Sequence, residues 1–456
     1  MEEITKEAVV AEKSNKKSSI IIALVSSAIA VMMIFASVLI IFANLKKQET
    51  KVFSCDFVAV KTIDGWGYMN KKGELVIKAQ FEEAYPFSNN GLALVFLDGN
   101  YGFINTEGRY VVNPMYIEAR PFEEDAELAV VKRNGKYGYV DDEGDEEIFC
   151  QFDEAYSFHS DLALVKQGGK YGFIDDDGKF MINPIYDNAY DFNENGVGAV
   201  AKLIDGVLRF ATINKNGKLL SDFSYRNVLI GEDRIFAYDG EFYYLFNLKM
   251  KQLFKTEFQI AGFESGGIAI DPLSGFDEKL IAFRSNESKY GFLNLKGEVV
   301  IPAEYDIIGN FNDGLAKVKK DGKYGYINAK NEFVIANRYD FAYDFKNGYA
   351  VISSNYMYGL IDTEGRVVLD TKYSDLGSVN NDICYFKTAD QTTYGYYNVE
   401  KEEIINAQQY SKISDTINAY DCSDDGYIVV KQGENYGIIN KKGQYIINVH
   451  LLDVKF

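Results

Sequence analysis

The residues of this chain best equipped for chemistry are its carboxylates, and they come in runs: DDEGDEE from Asp141 to Glu147 and a triple aspartate at Asp175 to Asp177. Two carboxylates can cleave a glycosidic bond, but only when a cleft holds them on opposite sides of it. Nothing here sets two acids apart from the many others, and the runs have the spacing of turns. Asp175, Asp177 and Gly178 weakly resemble a calcium loop, yet the later acidic ligand of such a loop is absent. His159 and His450 lie far apart, and Cys55, Cys150, Cys384 and Cys422 include no close pair, so no metal-ligand spacing emerges. The cysteines read as small buried or half-buried residues, with one long-range disulfide left open. There is no GxSxG elbow, no phosphate loop ending in Lys-Ser or Lys-Thr, and no HExxH. The sequence therefore names no catalytic, cofactor-binding or metal residue and no cofactor. It leaves ligand-binding residues unknown, and it is read as that of a protein that is not an enzyme.

The elements that would position any site repeat. An aromatic-glycine pair returns about every 34 to 36 residues, at Trp66-Gly67, Tyr101-Gly102, Tyr137-Gly138, Tyr171-Gly172, Tyr290-Gly291, Tyr324-Gly325, Tyr358-Gly359, Tyr394-Gly395 and Tyr436-Gly437. Phe210 to Gly217 and Tyr243 to Met250 are degenerate copies, which brings the expected number of units to about eleven. Function in such arrays is set by variable exposed positions, so the period constrains the fold far more than the partner.

One unit, Leu162 to Phe192, reads as four short extended pieces. LALVK is an apolar strand that forms a hairpin with KYGFID, where Tyr171 and Phe173 share one face. Asp175 to Gly178 is a turn: the aspartate side chain bonds to the backbone ahead and the glycine takes positive φ. The same chemistry recurs at Asn105, Asp141, Asn294, Asp362 and Asn440. FMINP leaves the ladder at Pro184, and YDNAYDF supplies Tyr186, Tyr190 and Phe192. The glycine after each aromatic is expected to admit a neighbouring ring or backbone against the strand, and the aromatic is expected to be a core spacer between repeats.

The phrase WGYMNKKG at Trp66, with its tyrosine variants, resembles the bacterial WG-repeat family, also called KWG repeats. The continuations from Val299 to Val318 and from Phe333 to Ile352 resemble it as well, and the resemblance covers nearly the whole chain after the apolar run that ends at Phe42. It implies an all-β repeat protein of bacterial origin, often tied to the cell envelope. It brings no general activity, cofactor or catalytic residue.

Ile20 to Phe42 is an uncharged apolar run flanked by Lys16, Lys17, Lys46 and Lys47. As a helix, roughly 23 residues rise about 34 Å, enough to cross a hydrocarbon core of about 30 Å. It is longer than a signal-peptide core and no small-x-small cleavage site precedes Lys46, so a retained signal anchor is expected. Lysines nearly balance across the span, and the short tail with the long C-terminal region suits a cytoplasmic tail and an extracytoplasmic repeat domain. VFSC ending at Cys55 is too far from the run, behind two lysines, for lipidation. The formal charge of -19 resides in the region C-terminal to the span and disfavours nucleic acid as a partner.

The expected organisation is a polar tail (1–19), a transmembrane anchor (20–44), a linker and first cap strand (45–65), WG-type repeats with the last two degenerate (66–250), an irregular insertion or lobe boundary (251–289), further repeats (290–443) and a C-terminal cap strand (444–456). The expected fold is an all-β repeat array of antiparallel hairpin units, open or superhelical, with propeller-like closed lobes as the alternative. The function expected is a membrane-anchored, non-catalytic binding or scaffold module that engages another protein at the bacterial cell envelope. Binding of a cell-wall glycan is the second reading; it asks for exposed rings at equivalent places with polar partners. An enzyme or sensor with its site in the 250–290 interval is the third.

Overall fold

The computed structural model describes residues 57–70, 72–123, 126–263, 279–380, 382–390, 394–408, 427–440 and 442–455. The tail, the apolar run, Cys55, Cys422 and the centre of the 251–289 interval lie outside these residues. Among the described residues, no helix is long and apolar enough to cross a membrane.

The strands form eleven antiparallel sheets in chain order, a propeller-like arrangement of eleven blades. Blade 1 holds Phe57–Thr62, Gly65–Asn70 and Leu75–Phe81. The next ten begin at Glu83, Glu118, Glu154, Asn188, Asn227, Gln259, Ile307, Phe341, Asp375 and Tyr427. Blade 1 receives its fourth strand from the other end of the chain: Asp453–Lys455 pairs antiparallel with Phe57–Thr62, in the register Ala59↔Lys455, Val60↔Val454 and Lys61↔Asp453. The expected open array is therefore corrected to the closed alternative. Pairing the two ends removes the edges that an open array has to cap.

Burial follows the same order. Eleven apolar clusters each join two successive blades. The last of them sets Ile438, Ile447 and Leu451 of blade 11 against Val58, Val60 and Met69 of blade 1. The second strand of a blade is buried on both faces, which explains its unbroken apolar sequence. In blade 2, Ala93 and Val95 face blade 1, whereas Leu92 and Leu94 face blade 3. The described parts of the 251–289 interval supply Gln252–Thr256 to blade 6, and Gln259–Ile260 and Leu280–Arg284 to blade 7.

The glycine of the repeat sits beneath a backbone arch. In blade 2, Tyr101 pairs with Tyr116 but Phe103 pairs with Val112, so the outer strand gains two residues opposite Gly102. A Cβ on Gly102 would lie 2.5 Å from the Val112 carbonyl oxygen and 2.7 Å from the Pro114 nitrogen. Blades 5 and 6 carry Ala211 and Tyr244 in this place. Blade 5 keeps only isolated bridges to its outer segment, and blade 6 pairs directly through Tyr244↔Lys255 and Leu245↔Phe254. Blade 10 also pairs directly at Gly395↔Ala407, so the glycine permits the arch without compelling it.

The most buried ring is not the one before the glycine but the one after it. Tyr68, Phe103, Tyr139, Phe173 and Tyr326 are fully enclosed, while Tyr101, Tyr137 and Tyr171 are half-buried. The enclosed rings meet a phenylalanine of the next blade, as in Phe103–Phe122 at 5.1 Å and Phe173–Phe192 at 4.8 Å between centroids. The expectation of a core spacer thus holds in full for Trp66, Tyr290 and Tyr324, which are buried, and in part for the half-buried rings.

Candidate binding surface

The acidic runs belong to turns. The Asp141 side chain accepts the backbone N–H groups of Glu143, Gly144 and Asp145, and Asp175 accepts that of Lys179. Gly178 closes its turn at φ 76°. Among the described residues, no three of His, Cys, Asp and Glu are grouped to hold a metal. Cys150 and Cys384 are free thiols, and burial pushes them up to about 11 and about 12, so both stay protonated at neutral pH.

A polar rung crosses the first three strands of several blades. In blade 3, Lys132 Nζ donates to Glu118 at 2.6 Å, Tyr137 donates its hydroxyl hydrogen to the same carboxylate at 2.6 Å, and the ammonium lies 4.5 Å from the Tyr137 ring centroid. Blade 4 repeats this with Lys166 on Glu154 at 2.7 Å, Tyr171 on Glu154 at 2.8 Å and the ammonium 4.9 Å from the ring. The bonds from the lysines hold Glu118 and Glu154 below the usual carboxylate range, chiefly through Lys132 and Lys166. Cross-strand register creates the rung: Glu118 is opposite Lys132, and Lys132 is opposite Tyr137. The lysine–aromatic contact recurs at Lys319–Tyr324, Lys387–Tyr394 and Lys431–Tyr436.

Two residues beyond the acid of each rung stand Lys455, Tyr85, Arg120 and Tyr156, which with the rung-position ring Tyr101 form a second row that runs between blades. Lys455 Nζ of blade 1 lies 4.7 Å from the ring of Trp66 and 4.7 Å from the ring of Tyr85 in blade 2. Tyr85 donates to Glu83 at 3.1 Å and is pushed up by burial and by Tyr101 beside it. Tyr101 and Arg120 line one cleft between blades 2 and 3, together with Glu118, Ala119, Val130 and Tyr137. The Arg120 guanidinium then lies 5.5 Å from the ring of Tyr156 in blade 4. The row Lys455, Tyr85, Tyr101, Arg120 and Tyr156 is thus continuous over four blades.

Beside it, Ser157 donates to Glu123 at 2.6 Å, and His159 Nε2 lies 3.6 Å from the same carboxylate. Asp191 of blade 5 faces both groups; burial raises it to about 6 against the opposing influence of His159, with Glu123 adding to the rise. Sequence reasoning assigned His159 no role, since its partners are 36 and 32 positions away. The register of Tyr85 and Tyr156 within their units was the one signal that could have located the row.

The pattern of the WG containing repeat matches residues 66–101, 101–137, 137–171, 171–202, 290–324, 324–357 and 358–390, more than half of the chain. This chain belongs to the WG-containing repeat family. The WG-repeat copies account for blades 1 to 4 and 7 to 9, each of which forms the arch over its glycine; blade 11, beyond the matched residues, forms it as well. Comparison with curated proteins gives no match. Among solved structures, a eukaryotic initiation factor is similar at 11% identity and a TM-score of 0.39, over 78% of this chain and 96% of that one. BamB from Moraxella catarrhalis is similar at 10% identity and a TM-score of 0.25, over 73% and 93% of the two chains. Neither likeness adds to the fold of the eleven blades.

Proposed function

We propose that this WG-repeat protein is a non-catalytic binding or scaffold module, tethered to a bacterial cell membrane by one helix at Ile20 to Phe42, with its repeats outside the cytoplasm and another protein as partner. The observation that carries the reading is the continuous row from Lys455 to Tyr156, an elongated polar and aromatic surface shared by four blades. An elongated surface of this kind suits a macromolecular partner better than a small substrate, which calls for a concave and enclosing site. The apolar run and its flanking lysines support the tether.

Glycan binding is the second reading, favoured by the exposure of Tyr190 and Tyr343, 43% and 45%, at equivalent places in blades 5 and 9. Against it, Tyr190 already stacks on Phe210, and the ring faces of Tyr85 and Tyr156 are occupied by Lys455 and Arg120. The test is a photoreactive phenylalanine derivative in place of Tyr101, in the full chain on intact cells, with external protease as a second arm. A discrete protein adduct and digestion of the repeats support the reading. Protection of the repeats overturns the extracytoplasmic placement, and absence of any protein adduct overturns the protein partner.

A further inference from the structure

We propose that the row Lys455–Tyr85–Tyr101–Arg120–Tyr156 binds an extended acidic peptide segment of the partner protein; this rests on the protein-binding reading and assigns its ligand chemistry. The decisive feature is a difference between cations. Lys132 and Lys166 are each committed to a carboxylate of their own rung, Glu118 and Glu154. Lys455 and Arg120 hold rings instead, and among the described residues no carboxylate bonds to either side chain. Glu118 lies near Arg120, but its oxygens already accept from Lys132 and Tyr137.

The rungs and row of blades 1 to 4 hold five cations (Lys61, Lys455, Lys132, Arg120 and Lys166), and the carboxylates on or beside them are six (Asp453, Glu83, Glu118, Glu154, Glu123 and Asp191). The anionic character of the ligand follows from Lys455 and Arg120, to whose side chains no carboxylate among the described residues bonds, and not from the local sum of charge. A guanidinium stacked on a ring keeps its edge N–H groups available, and their fork matches a carboxylate in two parallel bonds. Lys61 lies over Trp66 beside Lys455, and Lys455 and Arg120 stand two blades apart with tyrosines between them. Carboxylates spaced along an extended chain can reach both, while a single small anion cannot. The cleft at Tyr101 and Tyr137 can seat one planar or apolar side chain of the same peptide.

The test uses the full chain in detergent and fluorescein-labelled hexaglutamate, with labelled hexaglutamine as the neutral counterpart, read by fluorescence anisotropy. Hexaglutamate is expected to bind at least tenfold more tightly and to weaken with added salt. Arg120→Gln together with Lys455→Gln should abolish that preference, Arg120→Lys with Lys455 intact should keep part of it, and Lys249→Gln in the blade 6 turn should leave it unchanged. Equal affinity for the two peptides, or indifference to the double variant, overturns the proposal. So does trigalacturonate displacing hexaglutamate at lower concentration than unlabelled hexaglutamate does, which would reassign the row to an anionic glycan. The photo-adduct at position 101 separates the two levels. An adduct that persists in the double variant defeats the acidic-peptide assignment alone; its absence in the unaltered chain defeats the protein partner.

Discussion

Tyr139 of blade 3 donates its hydroxyl hydrogen to the backbone carbonyl of Tyr156 in blade 4, at 2.7 Å. The same bond joins Tyr68 to Tyr85 at 2.8 Å and Tyr326 to Tyr343 at 2.6 Å, always across seventeen residues and one blade boundary. The donors are enclosed, and burial raises each of these phenols. Each bond therefore satisfies a hydroxyl that would otherwise be stranded, and in blades 2 and 4 it fixes the backbone of a tyrosine that belongs to the candidate binding row.

Tyr139→Phe should accordingly cost about 1 kcal/mol, the net worth of a buried neutral hydrogen bond with one partner left behind. The ring contact with Phe158 at 5.1 Å remains, so the loss isolates the hydroxyl. Native-state amide exchange resolved by blade is the suitable measurement, because stability in a repeat array is not a single number. Faster exchange confined to blades 3 and 4 is expected; uniform loss over all blades, or none, contradicts the local role.

Gly102 and Gly99 make a matched pair. Gly102→Ala forces a methyl group into backbone at 2.5 Å and should cost more than about 3 kcal/mol or unravel the outer strand Tyr110–Tyr116. Gly99 has φ 76° with open space around its missing Cβ, so Gly99→Ala should cost only about 1 kcal/mol, from the left-handed backbone. Chemical unfolding of the two variants side by side tests the ranking, and equal costs would disprove the arch as the reason for the glycine.

Asp191 predicts a pH dependence. Its carboxyl is raised from 3.8 to about 6, so the folded chain binds more protons than the unfolded one between those values. Stability from this group is then present at low pH and is lost as pH rises through about 6. Asp191→Asn should stabilise the protein by about 1 to 2 kcal/mol at pH 8, where it removes a partly buried charge, and by nearly nothing at pH 4. Thermal unfolding at the two pH values checks the sign; a benefit larger at pH 4 refutes it. The groups facing Asp191, namely His159 and Glu123, should be left intact in this comparison.

Much of the fold was legible because the physics repeats. The period gave about eleven units, and the Asn or Asp at each turn announced its side-chain bonds, as at Asn105, which accepts from the N–H groups of Glu107 and Arg109. The glycine announced a close approach. Closure was not legible: Asp453–Lys455 carries no mark that distinguishes a capping strand from one that pairs with Phe57–Thr62, since both would be short and half-buried. The candidate row was hidden for a related reason. Lys455, Tyr85 and Arg120 come from different units and differ in residue type, so only the meeting of successive blades makes them one surface.

Closure also makes the chain's end matter to its beginning. Removing residues 452–456 would take the fourth strand from blade 1, together with the backbone bond from Leu452 N–H to the Lys61 carbonyl at 2.8 Å and the cation over Trp66 and Tyr85. Phe57–Thr62 would become an edge strand whose apolar residues Val58, Ala59 and Val60 lean on both neighbouring blades. The expected outcome is rapid amide exchange and protease cleavage in blades 11 and 1, with blades 4 to 8 protected as before, because each blade is held mainly by its immediate neighbours. If the truncated chain instead keeps full protection at Val58 and Val60, the pairing of the two ends contributes little, and the eleven clusters alone hold the array together.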